Sequence, residues 1–234
     1  MKIELFSDFT CPFCYIGKRQ LEQAISEAGY EGKVEIEYKA YQIAPHTPFE
    51  NAPSFLDGLA AKYEMSLEEV KQTTEGISAR AKEVGLEYDF DRMKTANTEK
   101  AHRLAKWAKQ FQQDQVFTEL LMKSYFTEGA DLIDEAFLLS TIAELELDVE
   151  EAKEVLHSTK FMEEIEKDSY DAQQIGVESV PFFVFENKYG IVGAEPSEVF
   201  VKTLHQAAEI AGIRPSLSMV GDGANSCADG QCNI

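Results

Sequence analysis

Two cysteines separated by two residues, Cys11-Pro12-Phe13-Cys14, carry the clearest chemistry in this sequence. A thiolate can attack a disulfide sulfur to form a mixed disulfide, and a second thiol close by can then displace it. That chemistry needs the first sulfur to be anionic and the second within reach. Residues 3–7 form a short apolar-rich β pattern, residues 8–10 break it, and from residue 12 to 28 apolar side chains recur at helical spacing. Cys11 is therefore expected at a helix start, where free backbone amides and the helix dipole favour its thiolate and make it the nucleophile. Cys14, one turn later on the same side, is the expected resolving thiol. Pro12 suits an early helical position because its missing N–H costs little there. A thiol that ionises more readily in the folded chain stabilises the reduced pair above its pKa, and that gain is lost as pH falls through it. A zinc half-site or two idle thiols are the plainer readings of this spacing, and the strand-to-helix placement weighs against both.

The elements needed to hold such a pair are visible on either side. Gly29 ends the first helix, and residues 34–38 alternate apolar with acidic side chains as a half-buried strand does. The opening is a βαβ unit, whose two strands should pair in parallel. From residue 52 to about 160 the chain turns helical: Ser66-Leu67-Glu68-Glu69 reads as a capped start, and residues 98–112 and 134–146 are amphipathic. After a helix ending near residues 175–176, residues 180–185 form a β-branched and aromatic run, Asn187-Lys188 interrupts it, and residues 191–194 return as a hairpin partner. A last helix spans about 197–211. From Pro215 the chain is rich in Ser, Gly, Asn and Asp and carries a second pair, Cys227 and Cys232.

Gly176-Val177-Glu178-Ser179-Val180-Pro181-Phe182-Phe183-Val184 resembles the Gly-Val-x-x-Val-Pro-x-Phe stretch of DsbA-like proteins, and Phe9-Thr10-Cys11-Pro12-Phe13-Cys14-Tyr15-Ile16-Gly17 carries the strongest match. The chain as a whole resembles the FrnE-like branch of the DsbA family, in the thioredoxin superfamily. That resemblance implies an α/β fold: a thioredoxin-like domain over 1–51 and 161–212, a large all-helical insertion over 52–160, and a C-terminal tail over 213–234. It implies a protein disulfide oxidoreductase or isomerase acting on protein thiols and disulfides. No cofactor is expected beyond its cysteines, with glutathione or a thioredoxin-type protein as candidate redox partners. It further implies that Pro181 is a cis-proline facing the Cys-x-x-Cys helix, so that Val180 is free to pair with an extended substrate. Val180, Pro181, Pro12 and Phe13 are the expected substrate-binding residues, beside exposed apolar surface near Phe13, Tyr15 and Phe182.

Cys227 and Cys232 are the expected second redox pair, closing a small exposed loop, with a local stabilising bridge or metal capture as the alternatives. Asn97-Thr98-Glu99-Lys100-Ala101-His102-Arg103 is similar to a stretch that opens a helix facing the active site in such proteins, which puts His102 near Cys11. No catalytic role is assigned to it. The dipeptide between the cysteines is Pro-Phe, where the best-known members have Pro-His.

Composition narrows the remaining classes. The 234 residues include 42 acidic and 22 basic side chains, a net charge of -20 that repels phosphate backbones and anionic membrane surfaces. Nucleic acid is not an expected partner. Glu4 interrupts the apolar N-terminal stretch, no cleavage-site pattern follows, and no apolar run approaches the ~20 residues of a spanning helix. A cytoplasmic location without membrane association is expected, and in a reducing compartment cysteines are catalytic more often than structural. No metal site is expected. Two other functions compete: a kappa-class glutathione-dependent isomerase or transferase, which has this fold with a serine where Cys11 stands, and a zinc-binding module using all four cysteines.

Overall fold

A computed structural model describes residues 1–50 and 52–216; Cys227 and Cys232 lie outside the described residues. Strand β1 (Lys2–Ser7) leads into helix α1 (Pro12–Glu27), and β2 (Glu35–Ala40) returns parallel to β1, with Lys2 opposite Glu35 and Ser7 opposite Ala40. Strands β3 (Phe182–Phe185) and β4 (Tyr189–Val192) form an antiparallel hairpin, and β3 pairs antiparallel with β1, Phe183 opposite Leu5. The sheet order is β2-β1-β3-β4.

Period-two patterning sets this arrangement. Ile3 and Leu5 of β1 and Phe183 and Phe185 of β3 share one buried face, against Leu21 of α1 and Phe200 of α9 (Ser197–Ala211). Phe6 points to the opposite face and meets Ala172 of α8 (Met162–Gln174). Burying each Leu or Phe contributes roughly 1.5–3 kcal/mol, and a one-residue slip would turn the whole set to the wrong face.

Between β2 and α8 lies the helical insertion: α2 (Phe55–Tyr63), α3 (Leu67–Glu83), α4 (Glu99–Lys109), α5 (Asp114–Lys123), a π-helical turn (Ser124–Glu128), α6 (Glu135–Glu144) and α7 (Val149–Leu156). Ser66 and Glu69 form the capping box that the sequence predicts at the start of α3. Leu104, Trp107, Phe117, Leu121 and Phe126 centre a core that runs on into Cys11, Cys14, Tyr15 and Ile16, so the first turns of α1 are a wall of it. The result is the expected mixed α/β core with a large helical insertion.

The helices of the insertion end a few residues inside their sequence patterns. At α4 the chain folds back at once, the Gln113 amide donating to the Ala108 carbonyl at 3.0 Å. The π-helical turn has no local signal in the sequence. Tertiary contacts hold its extra residue: Tyr125 donates its hydroxyl to the Lys94 carbonyl at 2.7 Å, and the Phe126 ring stacks on Tyr15 and Tyr88, with centroids 5.9 and 4.6 Å away. No described helix is long and apolar enough to cross a membrane.

Candidate redox site

Cys11 is the N-cap of α1, in extended backbone (φ -87°, ψ 111°), and Pro12 takes the first helical position. No acidic side chain in the first turn offsets the positive end of the helix. The Cys11 amide donates to the Asp8 carbonyl at 3.2 Å and the Cys14 amide to the Cys11 carbonyl at 3.0 Å, closing the turn that brings the two sulfurs together. Both thiols are free; Cys11 is 6% exposed and Cys14 fully buried. The Cys11 thiol donates to the Val180 carbonyl at 3.6 Å, and the Val180–Pro181 peptide bond is cis, so residues 169 apart meet at one sulfur.

The Cys14 thiol is pushed well up from its ordinary value. Burial is the largest cause, followed by its hydrogen bond with Cys11 and the charge on that sulfur, while the Asp8 amide and the Ser7 hydroxyl pull the other way. Cys14 thus holds its proton beside a sulfur that can accept a hydrogen bond from it.

Three elements rim the pair. Phe13 is half-buried, and the guanidinium of Arg80 in α3 lies 5.2 Å over its ring while donating to the Ala194 carbonyl at 2.6 Å. Tyr88 donates its hydroxyl to the Pro12 carbonyl at 2.8 Å. Pro12 and Pro181 are buried, and Val180 and Phe182 are partly exposed.

Tyr15 departs from expectation. It is 1% exposed, its hydroxyl donates to Glu119 of α5 at 2.6 Å, and it stacks on Tyr88 and Phe126, so it offers no open apolar surface. One position past Cys14, the helix turns this side chain toward the insertion, whose rings cover it.

In the fold Lys18 is 4% exposed and pairs with Glu22 at 2.5 Å and Glu119 at 2.6 Å, and Arg19 pairs with both carboxylates as well. Burial pushes the Glu119 carboxyl up, but hydrogen bonds from Lys18 and Tyr15 and the charges of Lys18 and Arg19 outweigh it and hold the group below the usual carboxylate range. Glu22, one turn from Lys18, is the partner a sequence reading could have found. Glu119, about a hundred residues away, carries no such signal.

The stretch from Asn97 to Arg103 is mainly structural. The Asn97 amide donates to the carbonyls of Pro45 and Thr47 at 3.1 and 3.0 Å. Arg103 donates to the carbonyls of Val155, Ser158 and Lys160, satisfying the chain as it leaves α7. His102 is 6% exposed; its Nε2 lies 3.4 Å from Asp8 Oδ1 and its ring 4.7 Å from that of Phe9, two residues that lead into Cys11. Among the described residues, no three His, Cys, Asp or Glu side chains are grouped to hold a metal ion.

The DSBA-like thioredoxin domain family matches residues 2–205. A probable DsbA oxidoreductase from Streptomyces coelicolor is 30% identical and superimposes with a TM-score of 0.85, covering 100% of this chain and 99% of that one. Two more distant structures are alike in fold. A 2-hydroxychromene-2-carboxylate isomerase is 15% identical, with a TM-score of 0.68 over 91% of this chain and 98% of its own. The cytosolic disulfide reductase DsbM from Pseudomonas aeruginosa, solved with glutathione, is 14% identical, with a TM-score of 0.61 over 91% of this chain and 98% of its own.

Proposed function

This chain belongs to the DSBA-like thioredoxin domain family and is a thiol–disulfide oxidoreductase acting through Cys11 and Cys14, and we propose that Cys11 is the attacking sulfur and Cys14 the resolving one. The observation that carries these roles is the asymmetry of the pair. Cys11 caps the helix and reaches the partly exposed Val180, whereas Cys14 is fully buried with its proton held.

In the reducing direction the Cys11 thiolate attacks one sulfur of a substrate disulfide. That S–S bond breaks, its electron pair leaves on the second substrate sulfur, and a mixed disulfide forms at Cys11. Cys14, once deprotonated, attacks Cys11 Sγ and expels the remaining substrate thiolate, so the substrate is reduced and the pair oxidised. The same steps reversed oxidise substrate thiols. Val180 offers its backbone to an extended polypeptide, Pro181 leaves that approach free of an N–H, Phe13 gives an apolar contact, and Pro12 shapes the turn.

Protein disulfides are the proposed substrates, with glutathione as a small-thiol partner; the fold shared with a disulfide reductase solved with glutathione supports the second. The finer assignments are the FrnE-like branch, from the Cys11 and Val180 motifs, and a cytoplasmic location, which the name of that reductase favours. The proposed domain division, 1–51 with 161–212 around 52–160, follows the two largest buried clusters, which share α1 between them. Cys227 and Cys232 are the proposed second redox pair. The Ser216 amide donates to the Gly29 carbonyl at 2.7 Å, at the far end of α1, whose 16 residues span about 24 Å. The eleven residues from there to Cys227 can extend about 36 Å, enough to return to Cys11.

Cys11→Ser should reduce insulin disulfides no faster than background. Cys14→Ser should still attack and should accumulate the mixed disulfide, detected by mass spectrometry. Full turnover by the first variant, or no trapped species in the second, would overturn the assigned roles.

A further inference from the structure

One proton in this scheme lacks a destination. Cys14 must ionise while buried, at the moment when a substrate joined to Cys11 covers the open side of the pair. On the other side, between the sheet, α4 and α5, lies a cavity of about 20 Å³. A single water needs about 10–15 Å³ in that measure. Ser7, His102 and Thr118 line its buried part, and Lys106, Lys109 and Asp114 line the part nearer solvent.

The three buried residues carry polar atoms without a partner: Ser7 Oγ, His102 Nε2 and Thr118 Oγ1. Their residues are 5%, 6% and 2% exposed. Asp8 Oδ1 is also unpartnered and faces His102 Nε2 at 3.4 Å, while Asp8 Oδ2 is held by the Ile43 amide at 2.7 Å. Buried polar atoms are rarely left unsatisfied, and an internal water typically makes about three hydrogen bonds to such groups. The same segment touches the redox pair, since the Asp8 amide and the Ser7 hydroxyl lie at the Cys14 sulfur, the hydroxyl short of a full hydrogen bond.

We propose that one buried water in this cavity, held by Ser7, Thr118 and His102, carries the Cys14 proton to the His102–Asp8 pair, so that His102 is the proton acceptor for resolution. The inference rests on Cys14 as the resolving thiol. The Cys14 thiol gives its proton to the Ser7 hydroxyl beside it, which passes its own to the water; the water gives one to the His102 imidazole, and the Asp8 carboxylate pairs with the imidazolium. The electron pair left on Cys14 forms the bond to Cys11 Sγ, and that of the broken Cys11–substrate bond departs on the substrate thiolate. In the oxidising direction the imidazolium returns the proton to Cys14 as it leaves.

The charged groups facing this space are Asp8 after β1, Lys39 of β2, Lys106 and Lys109 of α4, and Asp114 of α5. Lys39 and Lys106 are both paired with Asp168 of α8, and Lys109 with Glu37 at 2.7 Å. Their charges are therefore largely neutralised, and Asp8 is left as the counterion closest to His102.

Stopped-flow kinetics on a fluorescence-quenched disulfide peptide separates attack by Cys11 from resolution by Cys14. His102→Gln, which keeps size and polarity, should leave attack within about twofold and slow resolution about 10–100-fold near pH 7, the deficit narrowing as hydroxide rises toward pH 9. Thr118→Val removes one water ligand and should slow resolution alone, by about 3–10-fold; it decides the matter if His102→Gln folds poorly. Unchanged resolution in the variants overturns the proposal, and so does an equal fall in both steps, which marks a structural role. Failure of Cys14→Ser to trap a mixed disulfide overturns instead the role of Cys14, so the two failures are told apart.

Discussion

The sheet and the insertion grip opposite sides of α1 by different physical means. On the sheet side the contact is apolar and close: a Cβ added at Gly17 would lie 3.0 Å from Pro181 Cγ and 3.1 Å from Phe183 Cζ, and Leu21 is fully buried among the strands. On the insertion side Tyr15 and Ile16 also join an apolar core, and directional contacts are added to it. Tyr88 holds the Pro12 carbonyl, Glu119 gathers Tyr15, Lys18 and Arg19, and Phe126 stacks across Tyr15 and Tyr88. Apolar burial scales with area and has no preferred direction, whereas a hydrogen bond weakens steeply as it bends. The sheet therefore sets how deep α1 lies, and the insertion sets how its first turn, with both sulfurs, is rotated.

The strongest challenge to that contrast is Phe126→Ala. Phe126 is fully buried, and its truncation should cost about 3–5 kcal/mol, read from urea denaturation. Insulin reduction should fall with it under conditions where the variant stays folded. Undiminished exchange would mean that the insertion does not orient the site.

Next in size is Glu119→Gln, which leaves the buried Lys18 and its neighbour Arg19 to share the single carboxylate of Glu22 and should cost about 1–3 kcal/mol near neutral pH. Because the folded carboxyl lies below its ordinary value, its contribution is complete above the unfolded value of ~4.3 and is lost as pH falls through the folded one. The gap between parent and variant should be level from neutral pH down to that point and then narrow. A gap that widens on acidification would contradict the assigned ion pair.

Gly17→Ala probes the sheet side. Alanine favours the helix by up to about 1 kcal/mol, but the buried Pro181 and Phe183 must move aside, so the net loss should be small, about 1 kcal/mol. Its larger expression should be a raised KM for a peptide disulfide, since Pro181 is the residue displaced. A stabilised variant with unchanged KM would show that the proline can give way freely.

The strand, turn and helix around Cys11, the capped start at Ser66 and the final helix are legible in the sequence because each rests on periodicity or a short-range hydrogen bond. Val180–Pro181 is legible only beside the cysteine motif, since a lone Val-Pro before a strand is more often a simple turn. Tyr15 reads as open apolar surface because nothing near it in the chain announces Phe126 and Tyr88 as its cover. Asn97 and Arg103 draw attention as part of a family-like stretch, yet their partners, the carbonyls of Pro45, Thr47, Val155, Ser158 and Lys160, leave no mark on the sequence.

By itself the sequence determined that two sulfurs stand one turn apart at a helix start, because neighbours along a chain are placed by covalent geometry and helical pitch. Only the tertiary structure decided what lies behind them. Ser7, Asp8, His102 and Thr118 come from the first strand and its turn, α4 and α5, and such isolated polar groups follow no period; they meet because the insertion docks on the sheet.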